Sequence, residues 1–252
     1  MMADVNLTAV PAVAIARAGD DPAALILDAL ERAEMQLVDR DVLVVASKLI
    51  SRCEGRTVFP EDVVVGEEAA RVAEATGKDP RQVQVVLDQS ASISRMAPGV
   101  LIARHELGFV VANAAVDSSN VAEVGTWILL PVDPDASAAD IKSSVDAYFG
   151  IELSVIISDS FGRPFRNGTV GAAIGCAGIA ALRDRRGDVD LLGRVLEHTV
   201  TATADALAAA ADLLIGQADE GTPVVRIRGA QYDLGDGGAA ALIRDPDLDL
   251  YA

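Results

Sequence analysis

Asp41 to Ala46 (DVLVVA) is an apolar, valine-rich run of strand length, which predicts a strand. Glu61 to Thr76 carries apolar residues at helical spacing and stops at Gly77, so it predicts a helix. Arg81 to Asp88 is amphipathic, and Val100–Arg104 and Phe109–Val111 read as short strands around a turn at Glu106–Gly108. After two prolines, a helix is expected to start near Asp135 or Ser137 and run to Phe149. Leu153 to Ile157 predicts a second buried strand, ending at Ser158-Asp159-Ser160. Thr199 to Leu214 predicts a helix that closes at Gly216, Pro223 to Ile227 a strand, and the last twenty residues a loop and tail.

Helices and strands mix without regular strand–helix alternation, so the pattern favours a mixed α/β (α+β) fold over a doubly wound dinucleotide-binding sheet. There is no internal repeat and no Pro-, Gly- or Ser-rich linker, so residues 1–252 read as one domain, with two interlocked subdomains as the finer expectation.

Charge narrows the function. The 252 residues carry 21 basic and 38 acidic side chains, a formal charge of −17, which argues against nucleic acid and anionic membrane surfaces. No apolar run has the length of a membrane span, and the N-terminus lacks a signal-peptide pattern, so a soluble cytoplasmic protein is expected. Cys53, Cys176, His105 and His198 are too scattered for a zinc site or disulfide scaffold and read as structural or surface residues; Trp127 reads as core.

Arg163 to Arg194 contains six arginines against three aspartates, a positive stretch in a negative chain. Arginine forks suit phosphate or carboxylate, so a small anionic ligand competes here with ordinary surface ion pairing. The phosphate loop GxxxxGK[ST] is absent, and GAAIGCAG (Gly171 to Gly178) has the wrong spacing for a dinucleotide fingerprint, so these glycines read equally as close-packing positions. Asp159, read at a strand end before a hydroxyl and a turn, and Asp117, among small residues and carboxamides, have the oxygen chemistry of hard-cation ligands, although either also suits a turn. Ser47, Lys48 and Arg52 follow the first strand, where they reach phosphates or simply cover a helix end.

VVASKLISRCEGR, GFVVANAAVDSSNV, LLPVDPDASA, ISDSFGRPFRNG, AIGCAGI, DRRGDVDLLG and PVVRIRG occur in this order from Val44 to Gly229. Together they resemble the coenzyme F420-0:L-glutamate ligase family, the γ-glutamyl ligases of deazaflavin cofactor biosynthesis, over nearly the whole chain. The resemblance implies a homodimeric, GTP-dependent amide-bond ligase with an unusual, intertwined α/β fold. It also implies Mg²⁺ or Mn²⁺, often with K⁺, and GTP, L-glutamate and F420-0 or another phosphorylated carboxylate as small-molecule substrates. Some bacterial relatives carry a further nitroreductase-like domain, which is not expected in this chain.

By motif position, the resemblance makes Asp117 and Asp159 metal ligands, with Ser160 and Gln217 at or near a second metal. It assigns Arg163 and Arg166 to the catalytic machinery, and Ala12, Val13, Ala14, Ile15, Ser47, Arg52, Asn120, Gly216 and Gln217 to the nucleotide. This chain departs from the family pattern at Ala12 and Ala115, where glycine is usual, and at Ser118, where arginine is usual. It departs again at Thr169, Val170 and Gly171, where Gln, Thr and Asp are usual. The alternatives are a divergent ligase with another amine or acceptor, and a non-catalytic nucleotide- or cofactor-binding protein.

Overall fold

The computed structural model describes residues 4–119 and 125–248. Its centre is a five-stranded sheet ordered β1 (Asn6–Ala9), β12 (Val224–Arg228), β2 (Val42–Ala46), β8 (Ser154–Arg163) and β9 (Arg166–Ala177). Only β2 and β8 run parallel, and the other neighbours are antiparallel. That pair is buried because helices cover both faces, and side-chain alternation divides its residues between two cores. Leu43, Val45, Val155 and Ile157 meet α1 (Pro22–Arg32), α2 (Ser47–Cys53) and α5 (Pro134–Phe149). Val42, Val44 and Ile156 meet α6 (Thr203–Ile215) on the opposite face.

Between α2 and α5 the chain builds a third core. It packs α3 (Glu67–Thr76) and α4 (Pro80–Asp88) on a meander of β4 (Ser90–Ala97), β5 (Val100–His105) and β6 (Val110–Ala112). The strand β3 (Thr57–Val58) pairs with β7 (Trp127–Ile128) where the chain leaves and re-enters this core, and Trp127 is buried in it. A small ribbon of β10 (Leu182–Asp184) and β11 (Val200–Ala202) precedes α6. The architecture is mixed α and β, as the pattern predicts, and its described strands form several separate sheets.

Four boundaries differ from expectation. The helix expected from Glu61 begins only at Glu67, because Pro60–Asp62 forms a short 3₁₀ turn and the β-branched run Val63-Val64-Val65 that follows is non-helical, with Val63 and Gly66 extended. The helix expected near Asp135 starts at Pro134, capped by the Asp133 side chain on Ala136 N–H at 3.0 Å. The helix expected from Thr199 starts at Thr203, its first residues being drawn into the β10–β11 ribbon. The strand expected to end at Ser158 continues to Arg163 and folds back as β9, which takes in GAAIGCAG up to Ala177.

Close packing explains the glycines. A Cβ on Gly171 would lie 2.6 Å from the Ala208 carbonyl oxygen, and one on Gly175 2.3 Å from the Pro134 carbonyl carbon. The exposed edge of β9 is covered by carboxylates instead of a strand. Gly171, Ala173 and Cys176 donate their N–H groups to Asp212, Asp205 and Asp135 at 3.2, 2.9 and 2.8 Å. This satisfies donors that would otherwise invite edge pairing.

Candidate active site

β2 ends at Ala46 and α2 begins at once with Ser47 and Lys48. These consecutive residues each reach one of the two aspartates singled out in the sequence. Ser47 Oγ donates to Asp159 Oδ1 at 3.2 Å, and Lys48 Nζ lies 2.5 Å from Asp117 Oδ2. Asp159 arrives on β8, beside the last residues of the parallel strand β2; Ala46 pairs with Ser158. Asp117 arrives from the third core, on a segment bridged to β7 through Ile128 N–H to Asp117 O at 2.8 Å. The two carboxylates, 42 residues apart, therefore converge on one dipeptide.

Their electrostatic states differ. At Asp117, burial pushes the carboxyl upward, but hydrogen bonds from Lys48 and Ser119 outweigh it and hold the group below its ordinary range. Ser119 supplies its hydroxyl at 2.6 Å and its N–H at 2.9 Å, and Lys48 also donates to Ser119 Oγ at 2.7 Å. At Asp159, burial dominates and pushes the carboxyl up to about 6, while the Ser160 N–H, the Lys48 charge and the Ser47 hydroxyl compensate only in part. The negative charge of Asp117 raises it further, so each carboxylate lies within the other's field.

This donor set fits a hard divalent cation. Asp159 is a carboxylate short of compensating positive charge, and Asp117, Ser47 and Ser119 add oxygen donors around the same dipeptide. Among the described residues no group of three or more His, Cys, Asp and Glu side chains forms a metal-binding array. Two carboxylates suit Mg²⁺ or Mn²⁺ completed by phosphate oxygens better than an all-protein cage such as that of zinc.

The remaining expected residues fall into separate places. Ser160 lies on the opposite face of β8 from Asp159, because successive strand side chains alternate. There it accepts from Gln217 Nε2 at 2.7 Å, and the same nitrogen donates to Asp212 Oδ1 at 2.7 Å. The structure thus brings together Ser160 and Gln217, with Gly216 as the α6 C-cap, on a face away from the Asp117–Asp159 pair. Asp212 is a member of this group that the sequence reading missed; its only signal is its place one turn before the helix ends.

Arg163 and Arg166 pair across the tip of the β8–β9 hairpin, four residues beyond Asp159, roughly 13 Å at strand rise. Within one chain they do not join the aspartates. Arg52 shares a helical stripe with Lys48, four residues on along α2. Ala12, Val13, Ala14 and Ile15 form the turn between β1 and α1, where the Ala12 carbonyl accepts from Arg32 at 3.0 Å. Asn120 lies outside the described residues.

Comparisons with known proteins identify the family of the chain. Residues 12–229 match the sequence model of the family described as F420-0:Gamma-glutamyl ligase. The chain is 44% identical over 249 residues to a coenzyme F420:L-glutamate ligase of Methanothermobacter thermautotrophicus, covering 98% of each chain. It is 43% identical to the enzyme of that name from Methanopyrus kandleri, covering 98% of this chain and 97% of the relative. It is also 41% identical to the one from Haloarcula marismortui, covering 98% of this chain and 95% of that relative.

Proposed function

The chain belongs to the F420-0:gamma-glutamyl ligase family, and from that premise we propose that it joins L-glutamate to coenzyme F420-0 through an amide bond, with GTP as phosphoryl donor. The observation that carries the proposal is the convergence of Asp117 and Asp159 on Ser47-Lys48 in a chain that matches these ligases along nearly its whole length.

The reaction balances as two displacements. A carboxylate oxygen of the acceptor attacks the γ-phosphorus of GTP; the bond from phosphorus to the β-phosphate oxygen breaks and GDP leaves. The glutamate amine, having lost one proton, attacks the acyl carbon. The bond from carbon to the phosphate oxygen breaks, phosphate leaves with the electron pair, and the nitrogen sheds a second proton to give the amide.

Asp117, Asp159 and the Ser47 and Ser119 hydroxyls would hold Mg²⁺ or Mn²⁺, which when bound neutralises charge on the transferring phosphoryl group. Lys48 keeps Asp117 ionised and brings its ammonium to the same place, which favours the nucleotide's anionic oxygens. Arg52, on the Lys48 stripe, extends that positive face, and the 12–15 segment adds to the proposed nucleotide contacts, whereas Gly216 and Gln217 sit with Ser160 on the other face of β8.

A homodimer belongs to the same proposal. Phe165 at the hairpin tip and Leu191 and Leu192 beyond β10 are 90, 105 and 81% exposed, and such apolar projections suit burial against a second copy. Sedimentation equilibrium giving twice the chain mass supports this arrangement, and a monomer at assay concentration counts against it. Among the described residues no helix is long and apolar enough to cross a membrane.

The test is a product assay with purified protein, GTP, Mn²⁺, F420-0 and L-glutamate. Glutamylated cofactor, with one GDP per amide formed and dependence on both substrates, is the expected result. Product with another carboxylate alone would establish a divergent ligase, and nucleotide binding with no turnover on any acceptor would overturn the enzymatic reading.

A further inference from the structure

A cavity of about 230 Å³ wraps the outer edge of β9. Its lining includes Arg104 from β5, Phe109, Phe161 from β8, Ala172 from β9, Asp205 from the first turn of α6, and Arg244 from the C-terminal segment. Ala172 is the direct cross-strand partner of Asp159, so the cavity wall lies one strand spacing, about 4.8 Å, from the aspartate. The place therefore adjoins the proposed reacting centre.

Its charges are arranged for a ligand rather than for each other. Among the described residues the Arg104 side chain hydrogen-bonds only the Gly108 carbonyl, at 3.3 Å, and neither Arg104 nor Arg244 forms an ion pair with a carboxylate. Asp205 gives one oxygen to Ala173 N–H at 2.9 Å, and its second oxygen has no hydrogen bond among the described residues. Burial of Asp205 raises its pKa, the state of a carboxylate lacking a cationic partner. Phe109 and Phe161, with ring centroids 5.7 Å apart, form an apolar wall.

Two cations, one anion and an apolar wall mirror a molecule with two carboxylates, one ammonium and a short methylene chain. We propose that this cavity is the subsite for the amino-acid substrate, an α-amino dicarboxylate of the size of L-glutamate, with Arg104 and Arg244 taking its carboxylates and Asp205 its ammonium. The volume falls below the roughly 300–1,000 Å³ of pockets that enclose drug-sized ligands, which favours an amino acid over the deazaflavin acceptor. The inference rests on the ligase reading above and assigns that reaction's amine to a place.

The test uses the full chain and two readouts. In steady-state assays, Arg104→Gln, Arg244→Ala and Asp205→Asn should each raise the KM for L-glutamate about tenfold or more, as expected for loss of a charge-assisted hydrogen bond, while the KM for GTP stays within about twofold. Arg244→Lys should recover part of the loss. Asp205→Asn keeps a carbonyl oxygen for Ala173 N–H, and unchanged thermal melts separate a binding effect from misfolding. Calorimetric titration of L-glutamate, with a non-hydrolysable GTP analogue and Mg²⁺ present, reads the same subsite without turnover. There the three variants should bind about tenfold more weakly than the unmodified chain. Glutamate binding unchanged in all three variants, an unmodified chain that binds no glutamate, or a rise in the acceptor's KM instead would each overturn the assignment. If no acceptor is turned over yet glutamate binding is lost in the variants, the subsite stands and the ligase reading fails.

Discussion

Asn113, Ala114 and Ala115 take left-handed φ values of 52°, 48° and 57° in succession, and one extended residue, Val116, separates them from Asp117. Left-handed backbone costs a non-glycine residue about 1–2 kcal/mol, and strain of this kind persists where surrounding structure fixes a functional residue. Ala12 sits at φ 55° in the turn before α1. The two positions where the family resemblance expects glycine and this chain has alanine are therefore both left-handed. Ala115→Gly should stabilise the protein by up to about 1 kcal/mol, since relief of strain exceeds the added unfolded-state entropy, and differential scanning calorimetry should show a melting rise of about 2–4 °C. At the cluster itself, Asp159→Asn keeps the shape and an oxygen for the Ser47 hydroxyl but removes the charge. It should lower kcat about a hundredfold or more with the fold retained, checked by initial rates beside circular dichroism.

At the scale of elements, β9 is held by contacts that admit no side chain at Gly175, where a Cβ would meet Pro134 backbone at 2.3 Å. Gly175→Ala should cost about 2–3 kcal/mol by forcing β9 from α5, measurable as a lower denaturation midpoint. On β5, His105 is buried, accepts from Leu107 N–H through Nδ1 at 2.9 Å, and has no partner at Nε2 among the described residues. Burial, with the nearby Arg56 charge, lowers its pKa from 6.5 to about 4. The unfolded chain therefore takes a proton near pH 6.5 and the native one only near 4. The contribution of His105 to stability is complete above 6.5 and is lost as pH falls through this window, by roughly 3 kcal/mol. Urea melts of His105→Asn should show a shallower fall in stability between pH 7 and 4 than the unmodified chain.

These elements also mark how much was legible. The β2 and β8 runs could be read because apolar continuity reports burial directly, whereas close packing was one of two open readings for the glycines until α5 and α6 were in place. The continuation of β8 past Asp159 could not, because Ser-Asp-Ser imitates a turn until the hairpin partner β9 supplies its hydrogen bonds. The helix α1 carries the capping pair Asp21-Pro22, a start signal that the sequence itself contains. Asp117 and Asp159 were identified as individual residues, while the Ser47-Lys48 link between them depends on α2 following β2 without a loop. Asp205 and Asp212 were hidden in an alanine-rich helix whose pattern says only that one face is buried.

For the whole molecule, the arrangement divides the labour between two bodies of structure. The central sheet carries Asp159 and the third core carries Asp117, so the proposed cation site sits at the seam between them and depends on their docking. Binding there should stabilise the entire chain by linkage rather than one local element. The most direct measurement is calorimetric titration of Mn²⁺, in the presence of GDP, into the unmodified protein, Asp117→Asn, Asp159→Asn and the double variant. If both carboxylates hold one cation, each single substitution weakens binding by about tenfold or more, and the double variant loses less than the sum of the two in free energy. Affinity unchanged in either single variant, with its fold intact, would contradict the shared site.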